Sequence, residues 1–128
     1  MKFGYTLLYV NDVEKTVAFY ELAFGLRRRF MHESGYGEMD TGATKLGFVS
    51  HDLAKSNGVM FAESQVKGPA PAAEIAFLTE DAAAAYATAL KGGAHSVAAP
   101  KQKPWGQTVA YVRDLNGFLV ELCTPVPE

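Results

Sequence analysis

Tyr5-Thr6-Leu7-Leu8-Tyr9-Val10, followed by Asn11-Asp12 and a helical pattern that closes at Gly25, is the stretch that decides the fold. The first six residues are an apolar, strand-forming run rich in aromatic and β-branched side chains. Asn11 or Asp12 then offers a side-chain acceptor for the first free amides of a helix, and Asn11 with Glu14 three residues later fits a capping box. Val13, Val17 and Tyr20 recur on one helical stripe, with Phe19 and Leu22 beside it. Gly25 supplies the C-terminal residue that tolerates a left-handed backbone. Working outward, Leu26–His32, Gly35–Asp40, Thr44–Ser50 and Gly58–Glu63 read as four strands divided by turn residues.

The same order recurs further on. Glu74-Ile75-Ala76-Phe77-Leu78-Thr79 is strand-like, Glu80-Asp81 precedes the Ala-rich helix Ala82–Leu90, and Gly92-Gly93 ends it. Weak strand character around Ala94–Ala98 is followed by clear strands at Gln107–Arg113 and Phe118–Cys123. The turn between them, Asp114-Leu115-Asn116-Gly117, uses residues that accept positive φ. Tyr5 falls on Glu74 at an offset of roughly 69 residues. Between the repeats, two prolines and a glycine in residues 66–73 resist regular structure and read as a linker. The expectation is one domain over residues 1–128, made of module 1 (about 1–65), the linker and module 2 (about 74–126). Its fold class is α+β: two βαβββ modules forming a curved mixed β-sheet around a cavity, with the helices outside. Neither half is large enough to bury a sheet face alone, so the modules pair within a chain or exchange between two chains, giving a homodimer.

Composition narrows the function classes. Of 128 residues, 48% are apolar and 20% charged, with a net charge of −2 spread along the chain. The one basic run, Arg27-Arg28-Arg29, is short and alternates across a strand, so no nucleic-acid footprint is expected; solvated surface or an anion contact are its two readings. A single cysteine, Cys123, excludes an internal disulfide and reads as a small buried residue. With no long apolar stretch, the expectation is a cytoplasmic protein without membrane contact.

Three stretches resemble the vicinal oxygen chelate superfamily, the glyoxalase/bleomycin-resistance/dioxygenase group. They are Tyr9–Tyr20 running to Phe24-Gly25-Leu26; Glu74–Phe77 with its helix and Gly92-Gly93-Ala94; and Pro104-Trp105-Gly106-Gln107 with Val112–Leu122. The resemblance implies a glyoxalase-like fold over nearly the whole chain. It also implies functional positions on the first and last strand of each module, where metal-using members place His, Gln or Glu around a divalent ion. In module 2 these are Glu74 and Glu121, the candidate metal ligands and the candidate catalytic carboxylates. In module 1 the first-strand position is Tyr5, and the last-strand position falls in Leu46–Phe48, which carries no ligand atom. None of His32, His51 and His95 falls on such a position; His51, after a strand, and His95, after Gly92-Gly93, read as loop residues.

Two functions follow from these residues. The first is a metal-independent binder of a small organic molecule (antibiotic-like, aromatic or cationic) needing no cofactor. Its ligand-binding residues are Tyr5, Phe48, Glu74, Trp105, Tyr111 and Glu121. Trp105-Gly106 resembles the Trp-Gly step of antibiotic-binding members, and reads equally as a loop tryptophan over the core. Phe48, Phe61, Tyr36 and Tyr111 are also readable as core aromatics. The second is a lyase or isomerase resembling glyoxalase I, using one divalent metal (Ni, Zn, Fe or Mn) held by Glu74 and Glu121.

Overall fold

The computed structural model describes residues 1–128, which divide into two compact units, Met1–Ser64 and Gln65–Glu128. They are called module 1 and module 2 below; the linker predicted at 66–73 lies in the second. Module 1 runs β1 (Tyr5–Val10), α1 (Val13–Phe24), β2 (Arg27–His32), β3 (Tyr36–Asp40), β4 (Lys45–Ser50) and α2 (His51–Ser56). Module 2 runs β5 (Glu74–Leu78), α3 (Ala82–Lys91), β6 (His95–Gln102), β7 (Thr108–Arg113) and β8 (Leu119–Cys123). Each has its own four-stranded mixed sheet, ordered β1-β4-β3-β2 and β5-β8-β7-β6. In both, the first and last strands pair in parallel and the remaining pairs are antiparallel, which is the α+β architecture expected.

Local chemistry explains the helix ends. Asp12, not Asn11, caps α1, accepting the Lys15 amide at 2.9 Å from an extended backbone. Asp81 does the same for α3, accepting the Ala84 amide at 3.0 Å. Gly25 ends α1 in the left-handed conformation, φ 68°, and its amide bonds the Glu21 carbonyl.

Each helix covers one face of its sheet. In module 1, Val10, Val13, Val17, Tyr20, Met39 and Phe48 are fully buried, with the Tyr20 and Phe48 ring centroids 4.8 Å apart. Each such side chain contributes roughly 1.5–3 kcal/mol of burial. A Cβ at Gly37 would meet Val13 and Val17 at 2.8–2.9 Å, so glycine there lets α1 seat directly on β3. In module 2, Ala110, Val112, Val120 and Leu122 are buried on one side of their strands. Alternation then puts Tyr5, Leu7, Tyr36, Glu38 and Gly47 of module 1, and Glu74, Tyr111 and Glu121 of module 2, on the opposite, helix-free faces.

Three sequence expectations are corrected. Residues 58–63 form no strand: β4 already pairs with β1 and β3, and Phe61 packs side-on against Tyr9 at 4.8 Å instead of joining a ladder. His51, expected in a loop, opens α2 and is buried, 3.2 Å from the Ser64 hydroxyl. His95 likewise begins β6, a strand that extends to Gln102.

The start of the linker is bound to module 2. The Arg113 guanidinium donates to the carbonyls of Gly117 (2.8 Å), Gly68 (2.5 Å) and Gln65 (3.1 Å). Beneath it, the buried Asp114 carboxylate accepts the amides of Asn116 and Phe118 at 2.9 and 2.8 Å, shaping the expected β7–β8 turn.

Candidate functional site

On module 2's open face, Tyr111 of β7 lies directly opposite Glu121 of β8, and its hydroxyl donates to the Glu121 carboxylate at 2.7 Å. Glu74, the first residue of β5, is diagonal to Glu121 across the parallel pair and shares a hydrogen bond with it. Of two neighbouring carboxylates, one is pushed towards its protonated form by the charge of the other. Burial and the Glu121 charge push Glu74 above the ordinary glutamate value. Glu121 feels burial too, but hydrogen bonds from Tyr111, Cys123 and Glu74 outweigh it and hold Glu121 below that value. The Glu121 charge in turn pushes the Tyr111 phenol up to about 12, through their hydrogen bond, and adds to the burial that takes the Cys123 thiol to about 11. At neutral pH the face therefore carries a carboxylate at Glu121, with Lys103 near enough to stabilise its charge.

Trp105 is 56% exposed but not free to turn. Its indole N–H donates to Gln107 Oε1 at 2.8 Å, and Gln107 Nε2 donates to the Thr124 carbonyl at 2.8 Å. Gly106 beside it has φ +96°, and a Cβ there would press on Pro127 at 3.0 Å, so glycine is needed for this turn. The result is a fixed, solvent-facing aromatic surface next to a cleft of about 540 Å³ lined by Lys101, Gln102, Lys103, Pro104 and Gly106.

Module 1 carries a different arrangement at the equivalent row. Gly47 pairs with Leu7 and Glu38 as Glu121 pairs with Ala76 and Tyr111, so Gly47 is the counterpart of Glu121. A Cβ at Gly47 would lie 2.7 Å from the Tyr36 hydroxyl and 2.8 Å from Leu7 Cδ2. The Tyr36 ring thus occupies the space a ligand-bearing side chain would need, and its hydroxyl donates to Glu38 Oε2 at 2.7 Å. Arg29 Nη1 donates to Glu38 Oε1 at 2.6 Å. Burial, and the hydrogen bond to Glu38, raise the Tyr36 phenol well above its usual range.

Of the residues expected from sequence, Glu74, Tyr111 and Glu121 form one cluster on module 2, and Tyr5 lies 58% exposed on the open face of module 1. Phe48 does not line that face: it is fully buried on the α1 side against Tyr20. The sequence reading missed Glu38 and the holding role of Gln107.

The residues present do not fit a divalent ion. The positions implied for ligands carry two carboxylates in module 2, and a phenol and a glycine in module 1, short of the three or four donors such an ion takes. In neither module do three His, Cys, Asp or Glu side chains converge as they would around a metal.

Comparison with known proteins follows the fold. Residues 2–122 match the family model described as Glyoxalase/Bleomycin resistance protein/Dioxygenase superfamily. A glyoxalase-related enzyme from Fulvimarina pelagi superposes with a TM-score of 0.83 at 17% identity, over 98% of this chain and 88% of that one. A glyoxalase/bleomycin resistance protein/dioxygenase from Nocardioides gives 0.77 at 19% identity, over 97% and 83%. TioX from Micromonospora sp. ML1 gives 0.72 at 21% identity, over 97% and 98%. At these identities the likeness is one of fold. No functionally curated protein matches the chain.

Proposed function

The chain belongs to the glyoxalase/bleomycin resistance/dioxygenase superfamily, and from that premise we propose that it is a metal-independent binding protein for a small aromatic cation. The observation that carries this reading is the Glu74–Glu121–Tyr111 cluster, which sets a carboxylate, held by the Tyr111 hydroxyl, on an open sheet face. Such a charge attracts a single organic cation, and a fixed, exposed indole such as Trp105 adds stacking and cation–π attraction. Glu121 orients the cationic group, Glu74 and Tyr111 hold Glu121, and Trp105 takes the aromatic part.

No helix is long and apolar enough to cross a membrane, and a cytoplasmic location is part of the proposal. So is a homodimer: Leu22, Met60 and Val97 stay exposed on the single chain and a second copy would cover such surface. A solution mass of twice the 13.8 kDa chain checks that element.

Calorimetric titration with N-methylquinolinium tests the binding reading. The wild type should bind it saturably, and Glu121→Gln and Trp105→Ala should each weaken it by tenfold or more with circular dichroism unchanged. Equal affinity in all three proteins would overturn the assignment of this face.

A further inference from the structure

Glu38 is only 4% exposed, although Tyr5, Leu7 and Phe30 on the same open face of module 1 are about half exposed. Both its oxygens are satisfied within the module, Oε1 by Arg29 and Oε2 by the Tyr36 hydroxyl. A buried carboxylate already saturated in this way offers nothing to a ligand. What it does is hold Arg29. The guanidinium spends one N–H on Glu38, and its side chain stays 52% exposed. It keeps further N–H donors in a planar fork, the geometry that suits a carboxylate, sulfonate or phosphate.

The neighbouring strand residue shows that this placement is specific. Arg28 points to the other side of β2, where it bonds Glu14 and Glu21 of α1 at 3.2 and 2.9 Å. Arg29 instead falls at the register shift between Arg28 and Phe30, which turns it onto the open face. There it meets aromatic neighbours: Phe30 and Tyr36 have ring centroids 6.2 Å apart, and Tyr5 lies close enough to Tyr36 to influence its ionisation.

We propose that Arg29, positioned by Glu38 and Tyr36 beside Tyr5 and Phe30, is an anion anchor on module 1's open face that takes the oxyanion of a small aromatic acid. The inference rests on the reading that these open faces take small organic molecules, and it differs from that reading in residues and in ligand charge. Arg29 makes the ion contact, the rings supply apolar surface, and Glu38 and Tyr36 are positioning residues.

The test compares naphthalene-2-sulfonate with its neutral counterpart naphthalene-2-sulfonamide by calorimetry. The wild type should prefer the sulfonate by tenfold or more. Arg29→Gln should erase the preference, whereas Arg28→Gln, with the same change in net charge, should keep it. Glu38→Gln should reduce the preference while leaving sulfonamide affinity unchanged, a split that a purely structural role would not give. Should Arg29→Gln fold poorly, amide shifts in the wild type decide the matter: the sulfonate should move Arg29, Phe30 and Tyr36. No preference in the wild type, equal losses in the two arginine variants, or shifts confined to other residues would overturn the proposal. Titration with N-methylquinolinium reads Glu121 and Trp105, so failure of that reading is seen separately.

Discussion

The two modules share a strand order and differ in where they keep their carboxylate. Module 2 places Tyr111 and Glu121 directly opposite each other on adjacent strands, with Glu74 alongside. Module 1 places Tyr36 and Glu38 two residues apart on a single strand and leaves glycine opposite Glu38. The consequence is a difference in burial and in charge. Glu38 is buried beneath Arg29 and Tyr36, whereas Glu121 is partly exposed and neighbours a second carboxylate, Glu74. A repeated architecture thus presents a guanidinium on one face and a carboxylate on the other, without three metal donors on either.

Removing each carboxylate breaks the comparison most sharply. Glu38→Ala leaves the half-buried Tyr36 hydroxyl without its acceptor and should cost about 2–3 kcal/mol, less than a fully buried ion pair because Arg29 is half in water. Glu121→Ala, on the more open face, should cost about 1 kcal/mol. Urea unfolding of the two variants checks the order; equal costs would mean that the modules do not differ as described.

Gly47→Ala probes the same contrast from across the sheet. Its Cβ would meet the Tyr36 hydroxyl and Leu7 at 2.7–2.8 Å, so overpacking of about 1–2 kcal/mol is expected. The displaced Tyr36 should also titrate closer to an ordinary phenol, seen as an ultraviolet shift at lower pH. Unchanged stability and unchanged titration would remove the glycine from the account.

The smallest effects are those of pH on module 2. Glu74 is raised in the folded state, so its contribution is complete at low pH and is lost as pH rises through its folded value. Glu121 is lowered, so its contribution is present above the ordinary value of 4.5 and is lost as pH falls through its folded value. Glu74→Gln keeps a hydrogen-bond donor beside Glu121. It should flatten the decline of stability above pH 4.5 and leave the acid-side fall in place. In the same series the Tyr111 phenol, near 12 in the wild type, should move towards 10 in Glu121→Gln.

Module order, the helix stripes and the β7–β8 turn were legible because each is local: a capping side chain, a 3.6-residue period, a glycine at positive φ. The unforeseen α2 is six residues long, too short for that period to register. Val59, Met60 and Phe61 read as a strand because an apolar run does not reveal whether its backbone joins a ladder or only its side chains pack, as Phe61 does against Tyr9. Glu74 and Glu121 were reachable through the family's strand positions, and Tyr111 only as one of several aromatics that could line a cavity. Glu38 was not: within Tyr36–Asp40 it reads as the solvent-facing residue of an alternating strand. Only register places it opposite Gly47 and beneath Arg29. Sequence gives periodicity, and register decides which polar groups meet.

The central claim is that Glu74 and Glu121 are held by each other and by the Tyr111 phenol rather than by an ion. The most direct measurement is metal content by mass spectrometry, after untagged protein is incubated in turn with nickel, zinc, iron and manganese and desalted. The account predicts no ion retained near stoichiometry under any condition. About one ion per chain, lost in Glu74→Gln and Glu121→Gln, would contradict it and make a metal-dependent lyase resembling glyoxalase I the better reading.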